Sequence, residues 1–399
     1  MTGSGALLDA ELPSSVLTTR RPLRVLTLTP FYPSVEDPTQ GSFVSGPLTY
    51  MESLAVSQEV IAVEPFYREA AHATAENSAD WLKYFCIPTN LGLPSSGEFL
   101  GARLMRRVVA KHRDRPFDLI HAHSVLPCGG AAMRLSRRLS VPFVVSVHGL
   151  DAFFTRQAGA VVSSWCERVA KDVYGSAKTV ICVSKKVSEQ VLCNVEANVS
   201  VVYNGADAEL FSPDGREHLP LTVLSIGNLI PVKGHTVLLH AFARVSAELP
   251  DCRLEIIGDG PMRSSLAELA RELQVSDRVN FRGRQSRRET AQAMRRCSVF
   301  ALPSEYEALG CVYLEAMACG KTVIGCRGQG IDEVVEHGKT GMLIPPGDGV
   351  ALFDSLLILL RNAELRRRMG ASARQVVLQK LTLQHQAERL CEIYRRSVA

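Results

Sequence analysis

The feature that most limits what this chain can become is a repeated alternation. Short, nearly unbroken apolar runs are separated by longer stretches with helical spacing. One series is Leu23–Thr29, Val60–Val63, Leu119–His121, Phe143–Val147, Val180–Val183 and Val199–Tyr203. A second is Leu221–Ile226, Arg253–Ile257, Val279–Phe281, Val299–Leu302, Thr322–Gly325 and Gly341–Ile344. A strand that is apolar throughout must be covered on both faces, as in a parallel sheet flanked by helices. Two such series in tandem predict an α/β chain of two doubly wound, Rossmann-like domains. The 399 residues are too many for one ordinary core and suit two or three domains.

The join is expected between Asn204 and Pro220, where Gly205, Pro213, Gly215 and Pro220 interrupt any periodicity. The chain then divides into a disordered tail (1–20), an N-terminal domain (21–205), a C-terminal domain (206–380) and a closing helix (381–399). In that helix Leu383, Ala387, Leu390, Ile393 and Tyr394 form an apolar stripe that needs a surface near the domain junction. Ligands of open α/β sheets bind beyond the carboxyl ends of the strands. Two such domains facing each other therefore put a cleft there, between linkers that can hinge.

Composition removes several classes. A net charge of +4 argues against a dedicated nucleic-acid binder. None of the eleven cysteines forms a Cys-x-x-Cys pair, and most, like Cys182, sit inside apolar runs as small buried hydrophobes of a reducing compartment. His121-x-His123 with Cys128 is the one metal-like pattern, and no metal site is expected from it. The N-terminus lacks an apolar signal core, and the longest apolar run, Leu356 to Leu360, is far short of the ~20 residues of a membrane span. The expectation is a cytoplasmic protein. Between Gly101 and Ser140, nine Lys/Arg face two Asp/Glu. The run from Arg103 to Lys111 reads as a basic amphipathic helix: a solvated face, or a peripheral contact with anionic lipid at the inner membrane face.

The richest segment runs from Leu302 to Gly320. A strand ends at Leu302, a loop carries Glu307, and a helix from about Gly310 to Cys319 carries Glu315. Backbone N–H groups of Leu309, Gly310 and Cys311 at the helix start suit a diphosphate. The two carboxylates cannot share one task. Glu315 is placed to accept hydrogen bonds from neighbouring hydroxyls such as those of a ribose, and Glu307 to sit near the sugar on the other side of the phosphates.

Glu307 and Glu315 with seven residues between them, followed by Ala316-Met317-Ala318-Cys319-Gly320, resemble the retaining glycosyltransferases of family 4, which have the GT-B fold. Further segments match in order. Val202-Tyr203-Asn204-Gly205-Ala206-Asp207 is similar to the entry into the donor domain. Gly227-Asn228-Leu229 with Lys233-Gly234 is similar to the phosphate-binding segment. Gly258-Asp259-Gly260 resembles the turn beside the nucleotide, and Glu333-Val334-Val335 with Gly338 and Gly341 the closing turn. The resemblance implies a nucleotide-sugar donor with UDP or GDP, a saccharide or lipid-linked acceptor, no metal or other cofactor, and no nucleic-acid partner. It assigns donor contacts to Gly41, in the loop after the first strand, and to His148 at the end of Phe143–Val147. Asp151 and Phe153 are acceptor candidates, and Ser184 is a weaker cleft candidate. Glu307, His148 and Lys233 are the expected catalytic residues.

Two departures stand out. The family usually has Arg where this chain has Asn228, and Asn offers neutral hydrogen bonds in place of a permanent bidentate clamp. Phosphate charge then rests on Lys233, the helix start and, as a candidate, Arg327. The segment Cys326–Ile331 differs from the common pattern and is closer to members that build bacterial surface polysaccharides. Gly258-x-Gly260 lacks the third glycine of the hydride-enzyme fingerprint, which disfavours an oxidoreductase. An epimerase or phosphorylase on the same fold, and a non-catalytic partner subunit, are the rivals; intact Glu307, Glu315 and Lys233 argue against the second.

Overall fold

The structure is a computed structural model that describes residues 21–34, 40–67, 79–88, 90–149, 160–215 and 221–399. Its first half is a seven-stranded parallel sheet: β1 (Leu23–Thr29), β2 (Val56–Pro65), β3 (Asp80–Tyr84), β4 (Leu119–His123), β5 (Phe143–Val147), β6 (Thr179–Cys182) and β7 (Val199–Val201), in spatial order 3-2-1-4-5-6-7. Helices α1 (Ser42–Leu48), α2 (Leu93–Asp114), α3 (Gly130–Leu139), α4 (Ala160–Ser176) and α5 (Lys185–Leu192) connect the strands. Every residue of β4, β5 and β6 is buried, which is why these runs read as continuously apolar. The edge strand β3 is only partly buried, and its sequence DWLKY carries no such signal.

The second half is a six-stranded parallel sheet: β8 (Thr222–Ile226), β9 (Arg253–Ile257), β10 (Val279–Gly283), β11 (Val299–Ala301), β12 (Thr322–Cys326) and β13 (Gly341–Ile344), in order 10-9-8-11-12-13. Around it lie α6 (His235–Glu248), α7 (Arg263–Glu272), α8 (Arg287–Arg296), α9 (Cys311–Ala318), α10 (Gly349–Arg361) and α11 (Ala363–Lys380). Helix α8 starts on a full capping box, Ser286 with Glu289, the reciprocal arrangement that satisfies two otherwise orphaned N–H groups.

The final helix, α12 (Leu383–Val398), returns to the first sheet. Ala387, Leu390, Ile393 and Tyr394 pack against Val25, Leu119, Val144 and Ile181. Burying side chains as large as Leu390 and Ile393 is worth roughly 1.5–3 kcal/mol each. The outgoing and returning chains are stitched where they cross: Ala206 N donates to Leu381 O at 2.8 Å, and Leu383 N to Ala206 O at 3.1 Å. Among the described residues no helix is long and apolar enough to cross a membrane.

In each sheet the strand order reverses once, between β1 and β4 and between β8 and β11. At such a switch point the connections leave in opposite directions and open a crevice. In the second sheet that crevice lies between the loop after β8, which holds Gly227 to Lys233, and the loop after β11, which holds Pro303 to Gly310.

Candidate active site

Lys233 ends a short 3-10 turn, Pro231–Lys233, and Gly234 follows with φ of 71°. A Cβ on Gly234 would lie 2.1 Å from Pro303 O, so only glycine lets this turn rest on the end of β11. The approach brings Lys233 Nζ to 2.6 Å from Glu307 Oε2. Both side chains are largely buried, 19 % and 12 % exposed, so the pair is screened less than a surface ion pair. Glu307 is held from two further sides: its backbone N–H donates to Gln329 Oε1 at 3.0 Å, and Ser304 Oγ lies 3.5 Å from its carboxylate.

Gly310, with φ of 85°, ends the loop and precedes α9. Beneath it the ring of Tyr313 is fully buried, with its hydroxyl bonded to Leu302 O, so the loop is anchored to the strand it left. The N–H groups of Leu309, Gly310 and Cys311 stand at the start of this helix, where the helix dipole adds positive potential. Glu315 lies deeper along α9 and pairs with Arg287 at the start of α8, 3.1 Å away. Burial pushes the Glu315 carboxyl up to about 7; Arg287 offsets part of that shift, and the nearby Asp207 adds to it. Nothing in the local sequence around Arg287 marks it as the partner of Glu315. Cys311 accepts from Asn204 Nδ2 at 3.3 Å, and burial pushes its thiol up to about 12.

Gly258 and Gly260 turn out to serve the loop beside them. A Cβ on Gly258 would sit 2.0 Å from Gly227 O, and one on Gly260 would sit 2.6 Å from Leu229 O. They let the β9 turn press against the β8 loop and fix the height of Gly227. Asn228 on that loop is exposed, as is Arg327 after β12.

On the opposite wall, Gly41 caps α1 next to Phe43, and the Phe43 ring packs on His148, with centroids 4.6 Å apart. His148 is gripped from behind by His123, whose Nδ1 is 3.0 Å from His148 Nε2. His121 lies next in this stack, its ring 4.2 Å from that of His123, and bonds Ser146 Oγ at 2.8 Å and Tyr394 OH at 2.7 Å. The His-x-His spacing thus builds a buried column that ends on α12. Burial lowers all three imidazoles, His121 and His148 to about 3, so the column is neutral at ordinary pH. Among the described residues no group of three or more His, Cys, Asp or Glu side chains is arranged to hold a metal.

The two walls touch. A Cβ on Gly149 would meet Ala308 Cβ at 3.0 Å, which sets His148 beside the Glu307 loop. Glu333 reaches across from the second domain and accepts from Lys185 N at 2.8 Å, Lys186 N at 2.9 Å and Tyr203 OH at 2.9 Å. Its carboxylate thereby caps α5, where the partial positive charge of a helix start favours an anion. A cavity of about 910 Å³ lies between the walls, lined among others by Gly149, Lys186, Gln190 and Gln329. It abuts the Glu307 loop through Gln329 but does not contain the ion pair itself. Ser184 spends its hydroxyl as the N-cap of α5, accepting from Val187 N, and is fully buried. Asp151 and Phe153 lie outside the described residues.

Comparison with known proteins agrees with this architecture. Residues 58–210 match the model of Glycosyltransferase Family 4, and residues 208–376 that of Glycosyl transferases group 1. An uncharacterized glycosyltransferase of Methanocaldococcus jannaschii is 31% identical over 258 residues, 65% of this chain and 70% of that protein. Among solved structures, sucrose-phosphate synthase from Thermosynechococcus elongatus superposes with a TM-score of 0.78 at 21% identity, covering 94% of this chain and 98% of that one. Anabaena HepE in complex with UDP-glucose superposes with a TM-score of 0.72 at 19% identity, covering 94% and 100%. The shared fold is GT-B.

Proposed function

The chain belongs to glycosyltransferase family 4, and on that premise we propose that it transfers a hexose-type sugar from UDP or GDP to an acceptor hydroxyl with retention of configuration, in polysaccharide or glycolipid synthesis. The observation that carries this reading is the Lys233–Glu307 pair, 2.6 Å apart, beside the start of α9 at the β8/β11 switch point. A diphosphate seated on the N–H groups of Leu309, Gly310 and Cys311 attracts Lys233 and releases Glu307 toward the sugar. His148, held by His123, is the hydrogen-bonding group of the other wall. As the bond between the anomeric carbon and the phosphate oxygen breaks, negative charge grows on the leaving group, and Lys233 and the helix start stabilise it. The acceptor oxygen bonds the same face of that carbon, and its proton passes to the leaving phosphate. The acceptor, a saccharide or lipid-linked hydroxyl, enters through the cavity at Gln329. Because the protein supplies the positive charge, the reaction runs without a bound metal.

The test is a panel of UDP-, GDP- and ADP-sugars with candidate acceptors, read by NMR. The expected product is a new glycoside with the anomeric configuration of the donor. An epimerised donor, or a sugar phosphate formed from inorganic phosphate, overturns the reading.

Glu315 gives this reading a pH signature. An unperturbed Glu titrates at 4.5, and this one at about 7, so the folded chain holds the proton more tightly. The stability this proton contributes is full below 4.5 and is lost as pH rises through about 7. Ribose hydroxyls, in contrast, donate to the ionised form, so nucleotide binding favours the carboxylate. Nucleoside diphosphate affinity is therefore expected to rise about tenfold between pH 6 and 8, following the ionised fraction. A Glu315→Gln variant should bind more weakly at pH 8 and lose that slope. A wild-type affinity that is flat across this range would remove Glu315 from the ribose contact.

A further inference from the structure

We propose that one corner of the N-terminal domain, where β2 and β3 end and α2 begins, docks onto an anionic phospholipid surface. Six large apolar side chains crowd there in the open: Phe66, Tyr67, Phe85, Ile87, Leu91 and Phe99. Phe85 is 53% and Leu91 60% exposed. They form a cluster, because Phe66 and Phe85 stack with centroids 5.4 Å apart and Phe85 meets Phe99 edge-on at 5.0 Å. A contiguous exposed patch of this kind marks an interaction surface, whereas scattered exposed residues do not.

Charge selects the partner. Phe99, Arg103, Arg106 and Arg113 follow one another at helical spacing and are all exposed, so the aromatic cluster continues into a cationic stripe along α2. None of these three arginines is in an ion pair among the described residues. Of the acidic groups nearby, Asp80 is matched to Arg107 and Lys111 and Glu98 to Arg134, which leaves Asp114 at the far end of α2 as the one acidic residue beside the stripe without an ion pair among the described residues. Helix α3 lies against α2 through Gly97 and Gly130 and adds the exposed Arg137 and Arg138. Aromatic rings that insert at headgroup depth beside a row of arginines fit an anionic bilayer. The corner sits at the carboxyl ends of β2 and β3, the side on which the cleft opens, so docking there brings the cleft to the bilayer. This deepens the proposed function by placing a lipid-linked acceptor within reach, while the surface itself uses none of the donor-site residues.

The experiment is cosedimentation of the full chain with vesicles of phosphatidylcholine alone or mixed with phosphatidylglycerol, at low and high salt. Binding is expected to favour the mixed vesicles by at least about tenfold and to weaken with salt. An R103E/R106E variant should lose at least about tenfold on the mixed vesicles, because each basic residue near such a surface changes partition about fivefold. An F85S/F99S variant should also bind the mixed vesicles more weakly. Equal binding to both vesicle types, or an R103E/R106E variant that binds as the parent does, overturns the proposal. Loss in F85S/F99S alone, with R103E/R106E binding as the parent does, shows apolar contact without selection for anionic lipid and overturns it equally. Nucleoside diphosphate titration of the same samples separates the two readings: vesicle binding without nucleotide binding rejects the proposed function and leaves the docking surface standing.

Discussion

A Glu307→Gln variant is expected to lose about 10²- to 10³-fold in turnover while binding nucleoside diphosphate at least as well as the parent. Gln keeps the shape of the side chain and removes its charge. The backbone bond from Glu307 N to Gln329 does not involve the side chain, so the loop stays in place. What disappears is a carboxylate beside the transferred sugar, where positive charge develops as the bond to phosphate breaks. Preorganised groups of this kind account for about 10²–10³ in rate when removed singly. Binding moves the other way. Lys233 is committed to Glu307 at 2.6 Å, and a neutral Gln frees that cation for the phosphates. Steady-state rates beside nucleotide titrations check both halves. Turnover within about threefold of the parent would show that Glu307 only restrains Lys233.

Lys233→Ala is expected to show the second large effect, with a different pattern. The leaving group loses a fixed side-chain cation, so kcat/KM should fall about 10²–10³-fold, or roughly 3–4 kcal/mol of transition-state stabilisation. The same change leaves Glu307 without its cation in a site where it is 12% exposed, and a carboxylate stranded in this way destabilises the fold. Thermal unfolding should therefore show K233A less stable than the parent and K233A/E307Q restored toward it. Turnover should stay low in the double variant. Recovery of stability without recovery of rate separates the ion pair as a structural device from Lys233 as a participant in the chemistry. If K233A is as stable and as active as the parent, the pair is incidental.

The strand frame was legible because parallel strands buried on both faces have no polar alternation to confuse the reading. Arg253–Ile257 and Gly341–Ile344 have the same bounds in sequence and structure. The strand β3 was not legible, because Asp80–Tyr84 is short, lies at the edge and mixes polar with aromatic residues. At the site, the spacing of Glu307 and Glu315 marked a helix start, but their cations came from elsewhere in the chain. Lys233 is 74 positions from Glu307 and Arg287 is 28 from Glu315, so each pairing depends on how the strands are ordered. Gly258 and Gly260 drew notice as candidate ligand contacts; their packing against Gly227 and Leu229, which only the fold shows, is a second reason for glycine there. His121-x-His123 carried no expectation beyond a metal-like spacing, and their partners, His148 for His123 and Ser146 and Tyr394 for His121, come from the β5 segment and from α12. A one-dimensional pattern carries residue type and spacing; it does not carry which neighbour is already satisfied.

The central claim is that a nucleoside diphosphate seats between Lys233 and the start of α9. Calorimetric titration of UDP, GDP and ADP into the parent chain, K233A and E307Q tests it most directly. Expected is saturable binding of UDP or GDP to the parent, at least about tenfold weaker binding to K233A through loss of a charge-assisted phosphate contact, and undiminished binding to E307Q. Failure of all three nucleotides to bind the parent, or equal affinity for K233A, would contradict it.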